Sequence, residues 1–276
     1  MTDSPDPTLP LAGLTCVCMA ANVPGPAAAA LLAAQGMAVI KIEPPAGDMT
    51  ATIMPGWYAE LNAAARVETV DLRAEAGQAR FRDILTGADV LISSHRPAAL
   101  ARLGITVPAL AQVNPALVWV EIVGDTEAPE VPGHDLTYQA AAGLVDPRAM
   151  PRTLLADLGG AEAAAAAACA LLLGRERGLP GRHARVGLAQ VAQRFAAAVR
   201  HGATVGQGLL SGAGRDYRIY PCADGFVACA ALEPHFSARL TEVAGADVAG
   251  FLAARSMAEV RALAEAHDLP LEPFSG

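Results

Sequence analysis

The sequence predicts an α/β fold: a Rossmann-like parallel-sheet domain followed by a small α+β domain. Three observations carry this expectation. Through the first two hundred residues, short apolar runs alternate with helix-forming stretches, the pattern of strands and helices taking turns around a parallel sheet. Gly202–Gly214 then holds five glycines in thirteen residues, a linker composition. Beyond it, two apolar runs flank a Cys-Ala-Asp-Gly turn, which signals a hairpin. The expected division is a large domain over 1–203, a glycine-rich linker over 204–216 and a small domain over 217–276.

In chain order, Leu14–Ala20 is an apolar run that reads as a strand and is broken by Pro24-Gly25-Pro26. Ala27–Gln35 is a strong helix former stopped by Gly36, and Ala38–Glu43 is the next strand. A second cycle gives strand Val67–Leu72, helix Gly77–Thr86 and strand Val90–Ser93. Helix Val107–Val113 precedes strand Leu117–Val123, and a long helix over Ala161–Arg177 leads to strand Ala184–Leu188 and helix Gln190–Arg200. In the small domain, Tyr217–Tyr220 and Phe226–Ala231 form the hairpin. Helices over Pro234–Val243, Phe251–Ala254 and Ser256–His267 follow it. With 53% hydrophobic and only 4% aromatic residues, the core has to be built mainly of Ala, Leu and Val in close packing.

Composition also excludes function classes. A net charge of −8 with no basic stripe argues against nucleic-acid binding, so a polyanionic ligand would need a few local arginines and helix N-termini. The five cysteines (16, 18, 169, 222 and 229) lack metal spacing and are expected to be reduced and buried, in a cytoplasmic protein without a metal. No signal pattern opens the sequence, and the apolar stretch Ala161–Leu173 is expected to be too short to cross a membrane, at ~20 residues for a span.

Three acid-bearing segments are candidates for chemistry, and each has a plainer reading as a helix cap. Gly133-His134-Asp135-Leu136-Thr137-Tyr138 puts an imidazole and a carboxylate at the mouth of a helix, where Asp135 would also serve as the cap. Leu155-Ala156-Asp157-Leu158-Gly159-Gly160 sets a carboxylate before two glycines that would let backbone approach a ligand at the start of the long helix. In Leu232-Glu233-Pro234-His235, the acid precedes a proline suited to the first helical position. The first strand-turn-helix lacks GxGxxG, Ser93-Ser94-His95 has no nucleophile elbow, and Gly212–Gly214 is no P-loop. Spacing alone thus offers candidates without a mechanism.

The ordered series of motifs is more specific. Leu11-Ala12-Gly13-Leu14, the Pro-Gly-Pro turn and Val39-Ile40-Lys41-Ile42-Glu43-Pro44-Pro45 with Gly47-Asp48 open it. Val70-Asp71-Leu72, Ala88-Asp89-Val90-Leu91-Ile92 with Arg96-Pro97, and Asn114-Pro115-Ala116-Leu117-Val118 continue it. The series resembles the class III CoA-transferases from about residue 9 onward, and in its motifs is closest to their 2-methylacyl-CoA racemase branch. The resemblance implies the fold of that family and an acyl-CoA thioester as substrate, with coenzyme A carried by the substrate. It also implies a homodimer. Asp157 matches the family's catalytic aspartate, His134 the racemase histidine and Glu233 the racemase glutamate. Arg96, Pro97 and Leu72 are implied beside the nucleotide half of CoA, and Gly159 and Gly160 beside an enolate oxygen.

Two chemistries follow from the resemblance. A racemase would remove the α-proton with one group and return it from the other face. A CoA-transferase would attack the thioester with the aspartate and needs no His134. A shortened, non-catalytic CoA-binding homologue is the third reading, since the C-terminal stretch that returns to the large domain in the family has no counterpart after Leu269-Pro270-Leu271-Glu272-Pro273. The Asn-Arg-Gly-Lys-type stretch before Val-Asp-Leu is replaced by Asn62-Ala63-Ala64-Ala65-Arg66, and the glycine-rich loop after Val123 by Gly124-Asp125-Thr126-Glu127.

Overall fold

The computed structural model describes residues 7–276. It divides into two compact units, one up to Phe195 and one from Ala196 to Gly276. The boundary falls before the glycine-rich stretch, which belongs to the second unit. This stretch is folded on itself: Leu210 N–H donates to the Ala203 carbonyl, and Ser211 Oγ to those of Gly206 and Gly208.

Six strands make the first unit's sheet: β1 (Thr15–Cys18), β2 (Ala38–Glu43), β3 (Ala65–Thr69), β4 (Val90–Ser93), β5 (Val118–Val123) and β6 (His183–Gly187). All pairings are parallel and the order is β3-β2-β1-β4-β5-β6, so the connections reverse direction between β1 and β4. This is the doubly wound order that leaves a crevice at the carboxyl ends of the two central strands. The helices are α1 (Pro24–Ala34), α2 (Met49–Ile53), α3 (Pro55–Leu61), α4 (Glu75–Thr86), α5 (Pro97–Arg102), α6 (Val107–Val113), α7 (Asp135–Ala141), α8 (Leu155–Glu176), α9 (Leu188–Phe195) and, opening the second unit, α10 (Ala197–Arg200). Strands β4 and β5 are buried along their whole length because helices cover both faces of the sheet.

On one face Phe81, Ile84 and Leu85 of α4 and Leu110 of α6 pack with Val17, Leu91 and Trp119. On the other, α1 packs against α8, and both helices bury alanines such as Ala28, Ala164 and Ala168. The small-residue core expected from composition is this α1–α8 contact. Helix α1 begins at Pro24, so the Pro-Gly-Pro segment is its first turn, where a missing N–H costs nothing. A Cβ on Gly25 would sit 2.0 Å from the Ala20 Cβ, which explains glycine there.

Helix α8 starts six residues earlier than the sequence suggests and runs for 22. By length and composition it is apolar enough to cross a membrane, contrary to the expectation from Ala161–Leu173. Its buried face, Ala156, Gly160, Ala164, Ala168 and Leu172, is core in this structure.

Charge is buried at the end of β2. The Lys41 ammonium, 1% exposed, lies 2.7 Å from Asp48 and 3.1 Å from Glu43. Tyr58 donates its hydroxyl to Glu43 at 2.8 Å and sets its ring 4.6 Å from the ammonium, and the Thr50 N–H donates to Asp48 at 2.9 Å. A buried charge survives when every lone pair and proton around it is matched in this way. The result ties the Pro44–Gly47 loop back to its own strand.

The second unit holds the antiparallel strands β7 (Tyr217–Cys222), β8 (Gly225–Ala230) and β9 (Leu271–Phe274) in the order β7-β8-β9, with α11 (Pro234–Ala244), α12 (Val248–Ala253) and α13 (Met257–His267). Tyr220, Val227, Leu240, Leu252, Val260 and Leu271 form its own core. The residues after 269, read from sequence only as a missing return, supply the third strand. All five cysteines are free; Cys169 is exposed, unlike the buried set expected.

Candidate active site

Helices α7 and α8 begin side by side, and one carboxylate joins them. Asp135, the first residue of α7, is buried; its Oδ1 accepts the Ala156 N–H at 2.7 Å and the Asp157 N–H at 3.1 Å. It therefore caps α8 from twenty-one residues away, satisfying two amides that have no partner inside that helix. Its other oxygen accepts from Gln139 Nε2 at 2.5 Å, and the same nitrogen donates to the Thr153 carbonyl at 3.1 Å. The local cap expected of Asp135 on its own helix is not formed. His134 takes the N-cap position of α7, where Thr137 Oγ1 accepts the His134 N–H at 3.0 Å.

Asp157 lies in the first turn of α8, half-buried. Burial, and then the charge of Asp135, push its carboxyl up to about 7 from the ordinary 3.8. A helix N-terminus favours the ionised form, but here desolvation and a neighbouring carboxylate outweigh it. Tyr138, one turn after His134, feels Asp157 in turn: burial and then the Asp157 charge raise its phenol. Its ring is enclosed by Gly124 and Gly133, where an added Cβ would come within 2.3 and 2.5 Å of the hydroxyl oxygen. The sequence assigns Tyr138 no role and offers Asp135 as a carboxylate at the helix mouth or as the cap of its own helix. The signal was the i, i+4 spacing of His134 with Tyr138 and of Asp135 with Gln139 on one short helix.

The structure thus sets His134 and Asp157 at the starts of two packed helices of the same unit. His134 is exposed. Glu233 belongs to the second unit, exposed at the N-cap of α11, and its carboxylate makes no capping bond. Gly159 and Gly160 serve packing. A Cβ on Gly159 would meet Phe195 at 2.3 Å and Val191 at 2.9 Å, and one on Gly160 would meet Leu188 at 2.3 Å. Their N–H groups lie inside α8, where the helix's own bonds to the preceding turn use them.

A cleft of about 790 Å³ opens at the carboxyl ends of the sheet strands, beside the β1–β4 reversal. Met19, Ile42, Val70 and Leu72 give it apolar walls, and the Pro44–Ala46 loop closes one side. Arg73 and Arg102 line it from exposed positions, and among the described residues neither has a carboxylate partner. Leu72 is part of this lining. Arg96 and Pro97 form the N-cap and first residue of α5, and the same segment contributes His95 and Arg102 to the lining. Apolar walls with unpaired arginines suit a ligand that joins a flat base to phosphates.

Residues 11–273 match the family described as CoA-transferase family III. The chain belongs to that family. Among curated members, it is 32% identical over 234 residues to the succinyl-CoA:(R)-benzylsuccinate CoA-transferase subunit BbsE of Thauera aromatica, covering 75% of this chain and 57% of that one. It is 28% identical over 200 residues to the acetyl-CoA:oxalate CoA-transferase of Acetobacter aceti, covering 66% and 51%. The chain therefore spans only a little over half the length of these relatives. Two solved structures share the family III fold. The hypothetical protein Rv3272 of Mycobacterium tuberculosis superposes with a TM-score of 0.82 at 24% identity, over 98% of this chain and 84% of that one. A CaiB/BaiF family protein of Brucella suis also gives 0.82, at 21% identity, over 97% and 84%.

Proposed function

We propose that this family III member acts on an acyl-CoA thioester by moving the α-proton, as a 2-methylacyl-CoA racemase does, with Asp157 and His134 as the proton carriers. The observation that carries the reading is the Asp157 carboxyl, pushed up to about 7. A group that titrates near the working pH both gives and takes a proton at low cost. In this reading His134 removes the α-proton of the bound thioester as the neutral imidazole. Asp157 delivers its own proton to the opposite face of the enolate carbon. Turnover in the other direction exchanges the roles, so no net proton is gained or lost. Glu233 is kept as a catalytic candidate by its match to the racemase motif. The cleft with Arg73 and Arg102 would hold the nucleotide half of the substrate, and a homodimer in the cytoplasm is the accompanying expectation.

A second reading, CoA transfer between an acyl-CoA and a carboxylate, is favoured by a different observation: the two curated relatives described above are named as CoA-transferases. There the ionised Asp157 would attack the thioester carbonyl and expel CoA thiolate, giving an acyl–aspartyl anhydride. The thiolate would attack the aspartyl carbonyl, release the carboxylate product and leave an aspartyl thioester for the acceptor acid to reclaim.

Proton NMR of a 2-methylacyl-CoA in heavy water separates the two. Proton transfer predicts loss of the α-proton signal with catalytic amounts of protein, abolished in Asp157→Ala and in His134→Ala. No exchange, together with CoA passing to an added carboxylate, would replace the first reading by the second.

A further inference from the structure

Helices α4 and α6 pack on the same face of the sheet and leave between them a groove of about 270 Å³. Gln78, Phe81, Arg82 and Leu85 follow one helical stripe of α4 into it. The buried side chains of Phe81, Leu85, Ile105 and Leu110 make its floor apolar. Helix α6 faces it with Ala109 and Val113, small side chains that leave the space open. Arg82 on α4 and Gln112 on α6 stand exposed at the rim, and among the described residues neither side chain has a hydrogen-bond or ion-pair partner. Asp83, next along α4, is taken by Arg80, and the lining holds no carboxylate of its own. The Gln78 amide is already used, donating to the Leu72 carbonyl at 3.1 Å.

We propose that this groove is a second ligand site, taking a monocarboxylate with an apolar body, about ten non-hydrogen atoms in all. The size follows from volume: a cavity of about 150 Å³ takes up the six carbons of benzene, so one of about 270 Å³ admits roughly ten such atoms. The charge follows from the rim. A wholly apolar ligand would cover the floor and leave the guanidinium unmatched, while one guanidinium and one neutral amide suit a single negative charge better than a phosphate dianion. Arg82 takes the carboxylate, Gln112 adds a donor from the opposite wall, and the chain lies on the floor. The site is separate from the acyl-CoA cleft. Leu72 and Leu103 form a wall common to both spaces, but Arg73 and Arg102 do not line the groove and Arg82 does not line the cleft. The proposal is therefore independent of the acyl-CoA reading.

The test is calorimetric titration of the full chain with octanoate, kept below the concentration at which it forms micelles, and with octan-1-ol. Octanoate should bind saturably to wild type. Arg82→Gln should weaken octanoate roughly three- to tenfold and leave octan-1-ol within about twofold, since only the acid uses the guanidinium. Ala109→Phe fills the groove and should weaken both by more than about tenfold. Arg102→Gln, changed in the cleft instead, should leave octanoate within about twofold of wild type. Octanoate affinity untouched by Arg82→Gln, or lowered equally for acid and alcohol, would overturn the carboxylate assignment. A loss as large in Arg102→Gln would place the acid in the acyl-CoA cleft and overturn the separate site. Absence of saturable binding to wild type would overturn the proposal outright, while titration with acetyl-CoA reads the acyl-CoA reading on its own. Circular dichroism melts establish that each variant is folded, and if Ala109→Phe is not, the exposed Arg82→Gln decides the matter.

Discussion

At the scale of single residues, Asp157 makes stability depend on pH in an unusual direction. Its carboxyl titrates near 7 in the fold and near the ordinary 3.8 when unfolded. The folded state therefore holds the proton more tightly, and stability falls as pH rises from about 4 to about 7. Asp157→Asn removes that loss. Urea titrations should show the variant and wild type equal at pH 4, with the variant more stable at pH 8 by about 1–2 kcal/mol after discounting for partial exposure. A difference of the same size at both pH values would mean that Asp157 is not perturbed. Asp135→Asn should lower the Asp157 titration, because it removes the neighbouring charge, and should cost about 1 kcal/mol as a weakened cap. A carbon-13 titration of the labelled carboxyls reads the first effect directly; an unmoved Asp157 midpoint would leave Asp135 as a cap alone. None of this coupling was legible in the sequence. His134, Asp157 and Glu233 could be named from motif order, but Asp135 reaches its partners across twenty-one positions, and local spacing says nothing about such a bond.

At the scale of elements, legibility followed how local the determinants are. Strands β2 and β4 and helix α6 were read to the residue, because each is a compact apolar pattern bounded by turn or capping residues. The start of α8 was missed because two glycines lower helix propensity there and the compensating cap is remote. Strand β9 was missed because four residues containing a proline become a strand only by pairing with β8. The glycines of α8 make a paired prediction. Gly174 has its nearest neighbour at 3.9 Å, so Gly174→Ala should stabilise by about 0.5–1 kcal/mol through propensity. Gly159→Ala gains the same propensity but drives a Cβ into Phe195 and Val191, and should destabilise by about 1–3 kcal/mol net. Chemical denaturation of both variants decides it; equal effects would remove the packing role given to Gly159.

At the scale of the whole molecule, two units with separate cores replace the domain–linker–domain plan read from glycine content. Glycine counts report flexibility only where nothing pins the backbone, and Gly202–Gly214 is pinned by its own turns. Residues 196–276 expressed alone should give one cooperative melt by circular dichroism, since their apolar core draws on no strand of the large sheet. A gradual, featureless melt would show that the division is not one of folding units. The buried lysine at the end of β2 has a consequence for how a ligand arrives. Because Lys41, Glu43 and Asp48 are matched only while the Pro44–Gly47 loop lies against its strand, opening that wall would strand charges in a dry interior. The wall is therefore in place before any encounter. Capture by the cleft should follow simple bimolecular kinetics, its observed rate rising in proportion to nucleotide concentration with no plateau from a gate that must first swing aside.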